Sequence, residues 1–239
     1  MRSTQITALY IAALFLHGCI KAPTPEALRQ KELARILVPL LYPGDESESH
    51  QRGAGVGNPT NRLAVAAFIT RHAGTEEALR AQVWLVFSQH NTETSWEPAE
   101  GHPTKAERIQ TLERVISSSS IPATIKMAKM QRVNEFLDAP GSTTEFEKQV
   151  AEILTHIADY QSERDWQYRR LTGNMSAYQL EPELRILLVM KACHELHLDK
   201  ALVYAEDLKR RYPVWSKHEN IDSAIWMLNR GQTPYPWFP

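Results

Sequence analysis

Cysteine is almost missing from the chain: 239 residues contain two, Cys19 and Cys193. Two thiols cannot build the disulfide framework of a small secreted domain, so packing must supply the stability. An excess of one charge is missing as well. The 27 basic and 28 acidic residues leave a net charge of -1, which argues against a nucleic-acid partner, because such partners call for a clustered basic surface. No apolar run approaches the roughly 20 residues with which a helix crosses a bilayer. Nor is there a run of alternating apolar and polar residues bounded by turn pairs, so no sheet is expected. The signatures of familiar chemistry are absent too. There is no G-x-S-x-G elbow. Gly53, Gly55 and Gly57 match neither the dinucleotide nor the phosphate-loop spacing, and no strand precedes them. Residues 43–58 therefore read as a polar, Gly-rich loop.

What is present begins at the N-terminus. Arg2 precedes an apolar stretch at residues 6–16, interrupted only by Thr7. Its length suits the ~7–15-residue core of a signal peptide. The stretch ends in Leu16, His17, Gly18 and Cys19, which resembles a bacterial lipobox: Leu, two small residues, then Cys. His17 departs from that pattern. The resemblance implies removal of residues 1–18 and a diacylglycerol on Cys19. Ile20 stands where an Asp retains many such lipoproteins in the inner membrane. The implied location is thus the outer membrane, lipid-anchored on its periplasmic face, with a soluble periplasmic or secreted protein as the alternative.

The remainder, residues 19–239, reads as a single all-helical domain. Thr24, Pro25 and Glu26 give an N-cap, a first-turn proline and a first-turn acid, followed by Leu28, Leu33, Ile36, Leu37, Leu40 and Leu41 at helical spacing. Asn58 and Pro59 open a second helix that Gly74 stops, and Thr75, Glu76 and Glu77 open a third. Thr104 with Glu107, and Thr144 with Glu147, have the spacing of capping boxes, in which hydroxyl and carboxylate satisfy each other's orphan backbone N–H groups. Pro122 starts a helix stopped at Ala139, Pro140 and Gly141. The Thr144 helix is expected to be long, reaching toward Arg170. Three more are expected: from Pro182 to about His197, from an Asp199 cap to Arg211, and from about Lys217 to Arg230.

Residues 182–215, PELRILLVMKACHELHLDKALVYAEDLKRRYPVW, resemble one tetratricopeptide repeat, a helix pair of about 34 residues. The resemblance puts Leu188, Val189 and Ala192 on the packing positions of the first helix, and Ala201, Ala205, Leu208 and Pro213 on those of the second. Val189 replaces a small residue, Ala192 and Ala205 replace aromatics, and Leu196 replaces a loop glycine. Residues 68–81 are similar to the joint between repeats in periplasmic tetratricopeptide lipoproteins, with Ala73 where that joint has Pro. The family implies a superhelical stack whose concave groove binds proteins or peptides. A generic helical bundle is the alternative. No cofactor and no catalytic residue is expected.

Few residues offer chemistry. Cys193 and His197 are i, i+4, with His194 between them, and a metal-assisted hydrolase site there is the enzymatic alternative. It lacks the third ligand and the H-E-x-x-H order that zinc hydrolases use. Glu93, Glu97 and Glu100 with Trp96 and His102 lie in one polar loop, short of the rigid carboxylate pair of a glycosidase. Residues 117–120 are four serines and read as a helix end. Trp166, Tyr168, Arg169 and Arg170 combine aromatics with cations, the residue types that anchor interfaces. They are the candidate partner-binding residues. The tail, residues 235–239, holds Tyr235, Trp237 and Phe238 among prolines, and is expected to fold back onto the last helix, with an extended aromatic ligand for a partner as the alternative.

Overall fold

The computed structural model describes residues 23–41, 59–90, 103–137, 139–162, 179–218 and 220–234. They form α1 (Pro25–Leu41), α2 (Pro59–Arg71), α3 (Glu76–His90), α4 (Lys105–Ser118), α5 (Pro122–Leu137), α6 (Thr143–Thr155), α7 (Leu180–His194), α8 (Leu198–Arg211), α9 (Pro213–His218) and α10 (Ile221–Leu228). Residues 157–162 resume the helix after a break at His156. Among the described residues there is no strand, and no helix is long and apolar enough to cross a membrane. The protein is all-α.

Local chemistry sets most helix starts. Thr24 Oγ1 accepts from the Ala27 N–H at 3.1 Å, and Thr75 Oγ1 from the Ala78 N–H at 3.3 Å. At α4 the capping box forms in both directions. Thr104 Oγ1 accepts from the Glu107 N–H at 3.3 Å, and Glu107 Oε2 accepts from the Thr104 N–H at 2.7 Å. Pro59 and Pro122 occupy first helical positions, where their missing N–H leaves no bond unmade. The breaks at Gly74 and Gly141 use φ of 80° and 69°, a region that costs other residues a Cβ clash.

Four expectations change. The Thr144–Glu147 capping box does not form: α6 starts two residues earlier, with Ser142 in place of Thr144 as N-cap, and the Ser142 side chain makes no capping bond. The long helix is interrupted at His156 (φ −116°), and the stretch that would carry it to Arg170 lies outside the described residues. Asp199 is not the cap of α8, since His197 holds that place without a side-chain bond. The last helix is two short ones, α9 and α10, separated by Asn220 in the left-handed region at φ 56°.

Among the described residues the core consists of four separate apolar clusters in chain order. The first takes Leu33 and Leu37 from α1, Val65 and Phe68 from α2, and Ala81 from α3. The second joins Val83 and Val86 of α3 to Leu112 and Val115 of α4 and Ala128 of α5. The third joins Val133 of α5 to Phe146, Val150 and Ile153 of α6, then Tyr160, and Leu180 and Leu184 of α7. The fourth joins Val189, Ala192 and Cys193 of α7 to Ala201, Ala205 and Leu208 of α8 and Ile221 and Leu228 of α10. Helices α3, α5 and α7 each serve two clusters. Each helix from α1 to α8 that is close in sequence is close in space, and α1, α3, α5 and α7 also touch in succession.

Candidate functional site

The joint where the α5–α6 connector meets the C-terminus of α7 is the best-defined polar site. Lys191 sits in an apolar run of α7 and is 1% exposed. Burial of an ammonium demands acceptors, and three are there. Lys191 Nζ donates to Ala139 O at 2.5 Å and Ser142 Oγ at 2.8 Å, and pairs with Glu195 Oε1 at 2.8 Å. One turn after Lys191, Glu195 reaches back to the start of α6. Its carboxylate accepts from the Ser142 N–H at 3.1 Å and from the Thr143 hydroxyl. The α6 N-terminus is thus capped by a carboxylate 53 residues away.

These donors hold Glu195 in its charged form. The hydrogen bond from Lys191, then that from Thr143, draw its carboxyl down to about 2. All three ammonium protons of Lys191 have acceptors, so it is not a nucleophile in waiting. Nor does a carboxyl held that low serve as a general base near neutral pH. The chemistry of the joint is that of a clamp fixing the α5–α6 connector to the α7–α8 pair.

An open pocket of about 380 Å³ lies over the clamp, lined among others by Leu137, Pro140, His194, Leu196 and His197. The end of α7 explains its rim. The His197 N–H bonds Ala192 O at 2.8 Å and the Leu196 N–H bonds Cys193 O at 2.9 Å, the paired bonds of a Schellman turn. That turn needs a left-handed residue, and Leu196 supplies it at φ 58° while 73% exposed. Its position is the one where the repeat pattern has glycine.

The Cys193, His194 and His197 grouping does not assemble. Cys193 is 1% exposed within the fourth cluster, and burial pushes its thiol up to about 12. The helix ends at His194, so His197 lies beyond it and is exposed. The i, i+4 register therefore never forms. Among the described residues no three His, Cys, Asp or Glu side chains are grouped to hold a metal ion. The serines of residues 117–120 end α4: Ser119 and Ser120 hydroxyls each donate to Glu76 at 2.7 Å, and the Ser120 N–H does so at 2.6 Å.

Of the repeat-packing residues, Val189, Ala192, Ala201, Ala205 and Leu208 are buried in one cluster. Leu188 is half-buried against the neighbouring cluster instead. Pro213 follows the C-cap Tyr212 of α8, where it opens α9 and is exposed. Cys19, Trp166, Tyr168, Arg169 and Arg170 lie outside the described residues, as do the loops at 43–58 and 93–102 and the tail at 235–239. Sequence reasoning missed Lys191, Glu195, Ser142 and Thr143. The available signal was a lone lysine inside a run of apolar residues, with an acid four positions on.

Comparison of the chain with protein-family profiles, with curated proteins and with solved structures finds no match in any of the three.

Proposed function

We propose that the protein is a non-enzymatic scaffold or assembly factor of the bacterial envelope. It is held by lipid on Cys19 at the periplasmic face of the outer membrane, and it binds a protein or peptide through a tetratricopeptide-like helical groove. The observation that carries the reading is the division of the core into four clusters, each drawn from three or four neighbouring helical segments. A stack of helix pairs is built that way, since each pair can bury its apolar face only against the next. Clamps such as Glu195 on Ser142 and Glu76 on Ser120 tie a helix end to a neighbouring connector, which suits a scaffold that must hold a groove in one shape.

Two experiments test the reading. Radiolabelled palmitate should label the protein and fail to label a Cys19→Ser variant; equal labelling of both removes the anchor. Crosslinking in the native envelope should capture a partner whose yield falls in Trp166→Ala and Arg169→Ala. Capture that is indifferent to both substitutions removes those residues from the binding surface.

A further inference from the structure

The outer face of α1 carries a pattern that the scaffold reading does not use. Leu33 and Leu37 face the first cluster, with Ile36 packed beside them. Arg29 bonds Glu77 of α3 at 2.8 Å, and Glu32 bonds Arg71 at 2.5 Å and His72 at 3.0 Å of the α2 end. Those contacts fix the inward side. The opposite side presents Ala27, Leu28, Lys31, Ala34 and Arg35, all exposed, at the i, i+3, i+4 and i+7 spacings that share one helix face. Leu28 is 52% exposed. Lys31 and Arg35 have no ion-pair partner among the described residues, although the helix contains two acids, Glu26 and Glu32. Glu32 is spent on α2, and Glu26 sits in the first turn on the other side, accepting from Gln30 at 3.1 Å. The outward stripe is therefore apolar and cationic with no acid upon it.

Chain length says what lies opposite. Five residues lie between Cys19 and Pro25, six Cα steps with a reach of at most about 20 Å when fully extended. With lipid on Cys19, α1 cannot leave the neighbourhood of the bilayer. We propose that the Leu28, Lys31 and Arg35 face of α1 is a docking surface for anionic phospholipid, which lays the anchored domain against the membrane in one orientation. This rests on the anchor reading for its geometry. Each Lys or Arg near an anionic surface favours contact by about fivefold, so the pair favours the docked orientation by about thirtyfold. That is too weak to hold a free protein, and sufficient to orient a tethered one.

The test supplies the tether artificially, so that it does not depend on acylation. Every core cluster of the described residues lies between Leu33 and Leu228, so the chain from residue 20 keeps all four. It is attached by an N-terminal hexahistidine to nickel-chelating lipid in vesicles of phosphatidylcholine alone, or with one-third phosphatidylglycerol. A fluorophore is placed at Ala34→Cys, with Glu113→Cys on α4 as control; buried Cys193 stays unlabelled. The label at 34 should lose access to acrylamide several-fold on the phosphatidylglycerol vesicles only. Lys31→Gln with Arg35→Gln should restore access, and the label at 113 should not change. Equal access on both vesicles, or protection that survives the double substitution, overturns the proposal. Palmitate labelling of Cys19 is read separately: its failure removes the natural anchor and leaves the result on tethered vesicles standing.

Discussion

Arg108 of α4 and Glu135 of α5 form an ion pair shut away from solvent: Nε donates to Oε2 at 2.9 Å, with the side chains 1% and 0% exposed. The pair has further support, since Arg108 Nη1 donates to Pro103 O at 3.0 Å and Gln131 Nε2 donates to Glu135 Oε1 at 3.2 Å. Desolvating two charges offsets much of their attraction, so removing one partner is worse than removing both. Arg108→Ala should lower unfolding free energy by about 3–5 kcal/mol. Arg108→Met combined with Glu135→Leu should recover most of that loss. Urea denaturation of the three proteins checks it, and a double variant as unstable as Arg108→Ala would mean that the pair is a net stabiliser.

The Glu195 clamp should make the protein sensitive to acid in a defined window. Its folded carboxyl is drawn down to about 2, below the unfolded value of about 4.3. The contribution is complete above the unfolded value and is lost as pH falls through the folded one. Thermal stability should fall between about pH 5 and pH 2, and Glu195→Gln should flatten that slope. At neutral pH the same substitution should cost about 1–3 kcal/mol, because Lys191 and the α6 N-terminus lose a charged acceptor. An unchanged slope in Glu195→Gln would place the acid sensitivity elsewhere.

The two clamps also mark the limit of what the sequence discloses. Helix starts at Thr24, Thr75, Thr104 and Pro122 were legible because their partners lie within four residues. The Thr144–Glu147 box had the same spacing and failed. Glu147 is taken by Tyr204 at 2.8 Å and Lys200 at 2.5 Å on α8, while the α6 N-terminus takes Glu195 from α7. Spacing along a chain registers local partners and is blind to those brought by packing. The same blindness hid the pairing of Arg108 with Glu135. The break at His156 carries no glycine or proline to announce it. The all-helical class was legible throughout, because it rests on periodicity and caps rather than on which helix meets which.

Leu196 should be improvable. It holds a left-handed φ of 58° in the turn that ends α7, with its side chain 73% exposed. A non-glycine residue there costs about 1–2 kcal/mol, and glycine returns part of this through its greater freedom when unfolded. Leu196→Gly should therefore stabilise by about 0.5–1 kcal/mol, read as a higher denaturation midpoint at unchanged m-value. If the exposed side chain is instead held by a partner over the pocket, crosslinking yield in the envelope should fall in the same variant while its stability rises.

A core divided among neighbouring helices predicts how damage spreads. Leu208 is fully buried in the fourth cluster and shares no cluster with α1, α2 or α3. Leu208→Ala removes buried methyl groups and should cost about 2–5 kcal/mol locally. In a stack, stability is a sum of units and nearest-neighbour interfaces, so the loss should stay near its source. Native-state hydrogen exchange should show amides of α7, α8 and α10 exchanging faster, with those around Phe68 in α2 unchanged. The reverse cavity, Phe68→Ala, should release α1 to α3 and leave α8 protected. Uniform loss of protection from either substitution would identify one cooperative bundle, and would remove the support that the divided core lends to a repeat scaffold.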